Sequence, residues 1–527
     1  MYIIMDMGTS NTRLWLCSED EILACKRREF GAGVSKKQGR AFLYDSLKGL
    51  IEELLLESSV AESDVECILV SGMAGSEIGL LDVPHIPLPA DIYRLADSLT
   101  VTSLREISDA PFVFVHGLKK VNGDMLVDIM RGEETETAGI LTALKISEDA
   151  VLVLPGTHNK IISVSASGEI TDFCTTFSGE LLNGIITDSI LTGQVSHSFN
   201  TVEAEVLKGA AYAEEKGLNA ALFHIRVMAK NGKNTDILSS FLYGAVMGED
   251  IKLIRRIAGD KRIYIGGREA LRRVYGILLG EDSSVMLDGD IADNAVRLGL
   301  ARIYKLYRAR ARREDTLRAI EEEKLVAIVR APERETLIDA MRALYNGGVR
   351  LAEITFDRSG KIPKQYTAEM IKLLVDEFGN DMLVGAGTVT TKEDVMMAYE
   401  AGAAFIISPN CDTDIIELTR SLGLVSIPAA FTPTEIARAV DRGADYIKLF
   451  PADQLGEGYI KAVTAPLSDA KLLAVGGVRV DNARKMIENG FYGIGVGSNL
   501  YNKKLIKDGD FDALTELARK YSEAVKN

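Results

Sequence analysis

LVAIVR (325–330), LAEITF (351–356), LVGAGTV (383–389), FIISP (405–409), LVSIPAA (424–430), YIKLFP (446–451), KLLAVGG (471–477) and GIGVGS (493–498) are eight short apolar runs that return every 19 to 32 residues. Each has the length and apolar continuity of a strand buried on both faces. Between them lie stretches such as RETLIDAMRALYNGG (334–348), KEDVMMAYEAGA (392–403) and TEIARAVDRGA (434–444), whose apolar residues recur with helical period. Gly347, Gly402, Gly443 and Gly490 stand where helix C-caps are expected. Parallel strands joined by helices must cross over right-handedly, and eight such units leave few arrangements besides a closed (β/α)8 TIM barrel.

Upstream of residue 310 the grammar differs. The chain opens strand, turn, strand in YIIMDMGTSNTRLWLC (2–17), then alternates glycine turns with elements of uneven length. We place one domain at 1–306, a linker helix at 307–316 and the barrel at 317–527. The basic run YRARARREDTLR (307–318) mixes in acidic residues and reads as a solvated helix.

Composition narrows the function classes. A chain of 527 residues, 47% hydrophobic and 26% charged, is globular and too long for one core. A net charge of −15 disfavours nucleic acid. No apolar run reaches the length of a membrane span, and the start reads as a mature cytoplasmic one. Five scattered cysteines and five scattered histidines contain no kernel of a zinc or redox site.

In such barrels the working residues sit at the C-terminal ends of the strands. Those ends carry Arg330, Glu353, Thr388, Ser408–Pro409–Asn410, Thr432–Pro433, Lys448, Gly476–Gly477 and Gly497–Ser498. Lys448 lies between apolar neighbours on the sixth strand. Held neutral at pH 7 it needs a pKa lowered by roughly 3 units, a cost that suits an amine nucleophile for a ketone. The other reading is a structural lysine that pairs with Glu353 or reaches the rim. Glu353 alternates with apolar residues and so points inward, where a carboxylate can shuttle protons for an iminium. The glycine pair after strand seven and Gly497–Ser498 after strand eight sit where barrels bind phosphate.

VAIVRA, GGVRLAEITF, VGAGTV, FIISPN, FTPTEI, YIKLFPAD, AVGGV and GVGSNL together resemble the 2-keto-3-deoxy-6-phosphogluconate aldolase family, which includes 6-phosphogalactonate aldolases. The resemblance implies that Lys448 forms a Schiff base without any cofactor and that Glu353 is the acid/base residue. It implies that Arg330, Thr388 and Pro409 contact the substrate, and that Gly476, Gly477, Gly497 and Ser498 hold its phosphate. The family commonly has Pro-Gly where this chain has Pro428–Ala429, which predicts a narrower pocket there.

In the first domain, Asp6 ends a strand beside Gly8, Thr9 and Asn11, a turn able to receive phosphate while the carboxylate holds a hydrated Mg²⁺. Gly156–Thr157 in VLPGTHNK and Gly266–Gly267 in IYIGGREALRRVYG repeat the pattern. Three glycine turns after strands suggest an actin/hexokinase-like two-lobed ATPase fold; the alternative is three ordinary turns. SGMAGSEIGLLDVPHIPLPAD, VDIMRGEETETAGIL, LPGTHNK and TFSGELLNG closely resemble the 2-dehydro-3-deoxygalactonokinase family, with Phe177–Ser178–Gly179–Glu180 replacing its usual Met-Thr-Gly-Glu. That likeness implies transfer of the ATP γ-phosphate to O6 of a 2-keto-3-deoxy sugar acid. Such a reaction needs a carboxylate to accept the hydroxyl proton. Asp128, Glu133 and Glu134 are candidates, with Arg131 a partner for the substrate carboxylate. The same acidic run can instead cap the following helix.

The two halves fit one sequence of reactions. A kinase that makes 2-keto-3-deoxy-6-phosphogalactonate supplies an aldolase that cleaves it to pyruvate and glyceraldehyde 3-phosphate. The rival is a non-phosphotransferring actin-like module fused to an aldolase, and galacto versus gluco stereochemistry stays open. A homo-oligomer is expected, a trimer through the barrel being one arrangement.

Overall fold

The computed structural model describes residues 1–18, 21–455 and 457–526. The chain divides into two compact units, Met1–Tyr307 and Arg308–Asn527.

The first unit is built on two sheets with the same internal order. In one, the antiparallel strands Glu21–Arg28, Thr12–Ser18 and Tyr2–Met7 continue through the parallel strands Ile68–Gly72 and Phe112–Phe114, with Thr100–Thr102 at the edge. In the other, Ile170–Thr176, Asn159–Val164 and Ala150–Leu154 continue through the parallel strands Arg262–Ile265 and Ser284–Met286. This duplicated order is the actin/hexokinase-like ATPase fold. The central strands of each sheet are buried on both faces because helices cover them. Leu43, Leu47, Leu50 and Leu54 of Arg40–Glu57 pack on the first, and Leu238, Leu242 and Val246 of Thr235–Ala258 on the second. A smaller sheet of His85–Pro87, Gly117–Asn122 and Met125–Met130 completes the unit.

The second unit is a parallel barrel. Nine strand segments appear where eight runs were expected, because the fifth run is divided at Pro428. Proline brings no N–H to the ladder. Val425–Ile427 pairs with Phe405–Ile407 on one side, and Ala429–Ala430 pairs with Ile447–Leu449 on the other. The Pro428 carbonyl still accepts from Lys448 N–H at 2.9 Å, so the wall is continuous there. Leu325–Val329 pairs with Gly493–Val496 and closes it.

Thr391 with Asp394 and Thr432 with Glu435 form capping boxes at two of the outer helices, each satisfying N–H groups that a helix start leaves open. Gly402, Gly443 and Gly490 stand one residue beyond their C-caps, and in the first helix of the barrel that position belongs to Gly348, with Gly347 itself the cap.

One expectation is corrected. The basic run is neither a short linker nor solvated throughout, since a single helix, Gly289–Glu323, runs through the division point. Its last turns belong to the barrel. Thr316 and Ile320 are fully buried, and Ile320 joins Val326, Phe405, Ile427 and Leu473 in the interior cluster. Arg313 bonds Asp445, and Arg312 donates to the Gly402 carbonyl. The apolar period of that stretch is masked by arginines whose stems cover the surface while their heads find acceptors.

Candidate active sites

Lys448 is the one buried lysine among the described residues of the barrel. It stands level with Ala429 on one side and Leu473 on the other, and its Nζ lies 5.6 Å from the centre of the Phe450 ring. The side chain at the Pro428–Ala429 departure is thus only a methyl, level with the Lys448 backbone.

Glu353 sits on Leu351–Thr355, 1% exposed, and its Oε2 has no hydrogen-bond partner among the described residues. Burial pushes its carboxyl above the ordinary range, while the positive charges of Lys448 and then Arg330 pull it down. A buried polar atom without a partner costs about 1–3 kcal/mol, so its retention points to a group reserved for a ligand. Gly387 makes the space for it: a Cβ there would lie 1.6 Å from Glu353 Oε1.

The other barrel candidates fall at the same end. Arg330 is exposed directly after Leu325–Val329. Thr388 follows Leu383–Gly387 with φ of 56°, a left-handed conformation that a β-branched residue adopts at a cost of roughly 1–3 kcal/mol. Pro409 is exposed beside the buried Ser408. Gly476 and Gly477 both have positive φ, and a Cβ at Gly477 would stand 2.2 Å from the Asp453 carboxylate. Asn499 donates to the Val478 carbonyl at 2.8 Å, which ties together the loops carrying Gly476–Gly477 and Gly497–Ser498, and Asn482 from the following helix holds the Gly477 carbonyl at 3.0 Å.

In the first unit the turn glycines are used in the same way twice. Gly8 N–H donates to the Asn11 carbonyl at 2.9 Å, and a Cβ on Gly31 would lie 2.3 Å from Gly8 O. Gly156 N–H donates to Asn159 Oδ1 at 3.0 Å, and a Cβ on Gly179 would lie 1.9 Å from Gly156 O. Thr9 and Thr157 are exposed at the tips. Gly267, with φ of 74°, lies against the Pro155 carbonyl, so the third turn abuts the second.

Glu136 links the turns. Its carboxylate lies beside the third turn, where a Cβ on Gly266 would stand 3.5 Å from Oε1, and desolvation and the charges of Glu133 and Asp6 push its carboxyl up to about 8. Asp6 is held by Arg13 at 2.7 and 3.1 Å. No group of three or more metal-ligating side chains occurs among the described residues. A magnesium ion that keeps most of its waters and leans on nucleotide phosphates needs no such group, and the Asp6 carboxylate has the chemistry of a water-mediated anchor.

The three candidate bases separate by geometry. Asp128 accepts from Thr175 N at 2.8 Å and Thr175 Oγ1 at 2.7 Å, tying Met125–Met130 to Ile170–Thr176. Glu134 is fully buried and accepts from Gly132 N–H at 2.8 and 2.9 Å, with burial and the Glu133 charge pushing it up to about 7. It satisfies an open N–H at the start of helix Glu133–Leu144, the capping alternative. Glu133 keeps 24% of its side-chain surface, with Lys160 Nζ 3.8 Å from Oε1 and Arg131 N–H 3.1 Å from Oε2. Arg131 Nη2 bonds the Val83 carbonyl and His85 Nδ1, while its buried Nη1 has no partner among the described residues.

Two residues escaped the sequence reading. Lys160 is 4% exposed in the apolar strand NKIISV, the same signal that singled out Lys448. Asp250 lies inside a long helix, where a charged residue gives no signal, yet it accepts from Tyr275, Ser178, Thr176 and Asn159. Asn159 in turn holds the Gly156 N–H, so Asp250 stiffens the second turn.

The 2-keto-3-deoxy-galactonokinase family pattern matches residues 6–303, and that of the KDPG and KHG aldolases matches 317–517. The first region is similar to the 2-dehydro-3-deoxygalactonokinase of Escherichia coli K12, 27% identical over 53% of this chain and 86% of that protein. The second is similar to the 2-dehydro-3-deoxy-6-phosphogalactonate aldolase of the same organism, 31% identical over 38% of this chain and 96% of that protein. A solved native KDPGal structure is 30% identical, covering 38% of this chain and 93% of its own, with a TM-score of 0.35. No described helix is long and apolar enough to cross a membrane.

Proposed function

Because the chain belongs to the 2-keto-3-deoxy-galactonokinase family in its first unit and to the KDPG and KHG aldolase family in its second, it is a bifunctional sugar-acid kinase and aldolase, and we propose that it acts on the galacto series at both sites. The first reaction moves the γ-phosphate of ATP to O6 of 2-dehydro-3-deoxy-D-galactonate. The second cleaves the resulting 6-phosphate to pyruvate and D-glyceraldehyde 3-phosphate. The observation that carries the aldolase chemistry is the buried Lys448 with the partnerless Glu353 carboxylate charge-coupled to it.

In the kinase unit Gly8, Thr9, Asn11, Gly156, Thr157, Gly266 and Gly267 supply the turns around the nucleotide phosphates. Magnesium, when bound, neutralises charge on those phosphates. Asp6 orients its water shell. Glu133 takes the proton from the O6 hydroxyl, with Lys160 Nζ 3.8 Å away beside it. Arg131, with a free Nη1 N–H, binds the substrate carboxylate.

In the barrel, the Lys448 amine adds to the C2 ketone, and loss of water gives an iminium. Glu353 removes the C4 hydroxyl proton as the C3–C4 bond breaks, with the electron pair drawn into the iminium. The aldehyde leaves, the enamine takes a proton at C3, and water releases pyruvate and the free amine. Arg330, Thr388 and Pro409 seat the pyruvoyl end, and Gly476, Gly477, Gly497 and Ser498 the phosphate.

The test is a coupled assay with ATP and each C4-epimeric keto-deoxy acid, with pyruvate release as readout. A preference for the galacto substrate at both steps is expected. Equal or greater turnover of the gluco epimer overturns the stereochemical assignment and leaves the class of reaction standing.

A further inference from the structure

Helix Glu133–Leu144 carries Glu133 and Glu136 on one side, while Glu134, Thr137, Ala138 and Leu141, three or four residues apart, lie on another. That second side lines a cavity of about 400 Å³ that contains none of the glycine turns. Ile92, Leu95, Ile146 and Ile170 give it apolar walls. Its size is within the range of small-molecule sites.

Three features mark it as built for an occupant. Thr137 is fully buried and its hydroxyl has no partner among the described residues. A helical threonine ordinarily bonds the carbonyl four residues back, as Thr142 does to Ala138 at 2.7 Å in the same helix. Lys145 and Arg302 also line the cavity, and among the described residues neither meets a carboxylate. The two carboxylates on its wall are already committed to backbone donors, Asp91 to Arg94 N–H at 2.8 Å and Glu134 to Gly132 N–H at 2.8 Å. Positive charge, a spare hydroxyl and apolar walls therefore remain unmatched in one place.

We propose that this cavity is a second ligand site of the kinase unit, for a small organic carboxylate with an apolar body and a distal oxygen. The carboxylate pairs with Arg302 and Lys145, the body packs on Ile92, Leu141 and Ile170, and the Thr137 hydroxyl donates to the distal oxygen. Sugar acids, hydroxylated along their length, do not match such walls, so the ligand differs in class from the substrate.

The probe is 4-hydroxybenzoate added to the full chain, with 4-hydroxybenzamide as its uncharged counterpart, in saturating ATP and pyruvate, which occupy the nucleotide turns and the Lys448 site. Expected are saturable binding at one site and slowed amide exchange in helix Glu133–Leu144. Weakening by about fivefold or more is expected for the amide and for Arg302→Gln, the scale of a charge-assisted pair. Thr137→Val, which keeps shape but removes the hydroxyl, should weaken binding about threefold or more. Arg302→Gln should leave both unliganded activities near wild type, and it carries the test alone if Thr137→Val does not fold. Absence of saturable binding, loss of it in ATP and pyruvate, equal affinity for the amide, or unchanged affinity in Arg302→Gln overturns the proposal.

Discussion

Glu353 occupies the volume that a side chain at Gly387 would need: a Cβ there would lie 1.6 Å from Glu353 Oε1. The two residues lie diagonally on adjacent, paired strands, Leu351–Thr355 and Leu383–Gly387, where Glu353 stands opposite Gly385 and Gly387 opposite Thr355. Gly387→Ala therefore displaces the carboxylate without removing it. A misplacement on the ångström scale costs on the order of 100-fold in rate. We expect aldolase kcat to fall by about that factor, and Gly387→Ala to add little once Glu353 is already alanine. Additive losses would separate the two residues.

Lys448 is tested by trapping. Borohydride with pyruvate should add a three-carbon unit at Lys448 and nowhere else. Glu353→Gln should keep part of that trapping yet lower aldolase kcat by about 100-fold or more, the scale of lost acid/base catalysis. Chelator should leave cleavage of the phosphorylated substrate intact and stop ATP turnover. A modified lysine elsewhere, or a rate within about threefold of wild type in Glu353→Gln, removes the assignment.

The barrel was legible because its eight apolar runs repeat, and because a lysine or a glutamate inside such a run has few bland explanations. The division at Pro428 was visible as a proline in LVSIPAA, although only the pairing of each half with a different neighbour gives it meaning. The helix Gly289–Glu323 was misread because its apolar residues are thinned among arginines. In the kinase unit, residue types marked the acidic run but not its division of labour. That division rests on contacts such as Asp128 to Thr175, 47 residues apart in sequence, which no local pattern encodes.

Burial raises the carboxyls of Glu134, to about 7, and Glu136, to about 8. Unfolded, both lose their protons near pH 4.5, so between that pH and about 7 to 8 the folded state binds more protons than the unfolded one. Their protonated forms support the fold fully at low pH, and that support is lost as pH rises through the folded values. The kinase unit should therefore lose Tm between about pH 4.5 and 8, and Glu134→Gln, which cannot ionise, should flatten that slope. A wild-type Tm that climbs over this range, or an unchanged slope in the variant, contradicts the assignment.

The proton acceptor of the kinase is decided by comparing three carboxylates and the metal anchor. Glu133 keeps solvent access beside Lys160, whereas Asp128 is bound to Thr175 and Glu134 to Gly132. Glu133→Gln preserves shape and removes the basic oxygen, so kinase kcat should fall by about 100-fold or more. Asp128→Asn should instead lower Tm and leave kcat within about fivefold, because its loss weakens a tie between strands. Asp6→Asn acts differently again. It takes one negative charge from the place where the metal must be held while charge moves onto the leaving phosphate. A loss of at least about 100-fold in kcat, roughly 2.7 kcal/mol of barrier, is expected, together with a raised magnesium requirement that Glu133→Gln does not show. In all three variants, cleavage of supplied phosphorylated substrate should stay near wild type, since these side chains belong to the other compact unit. If Asp128→Asn rather than Glu133→Gln abolishes phosphorylation in a folded protein, the base is Asp128 and its bond to Thr175 must open during turnover.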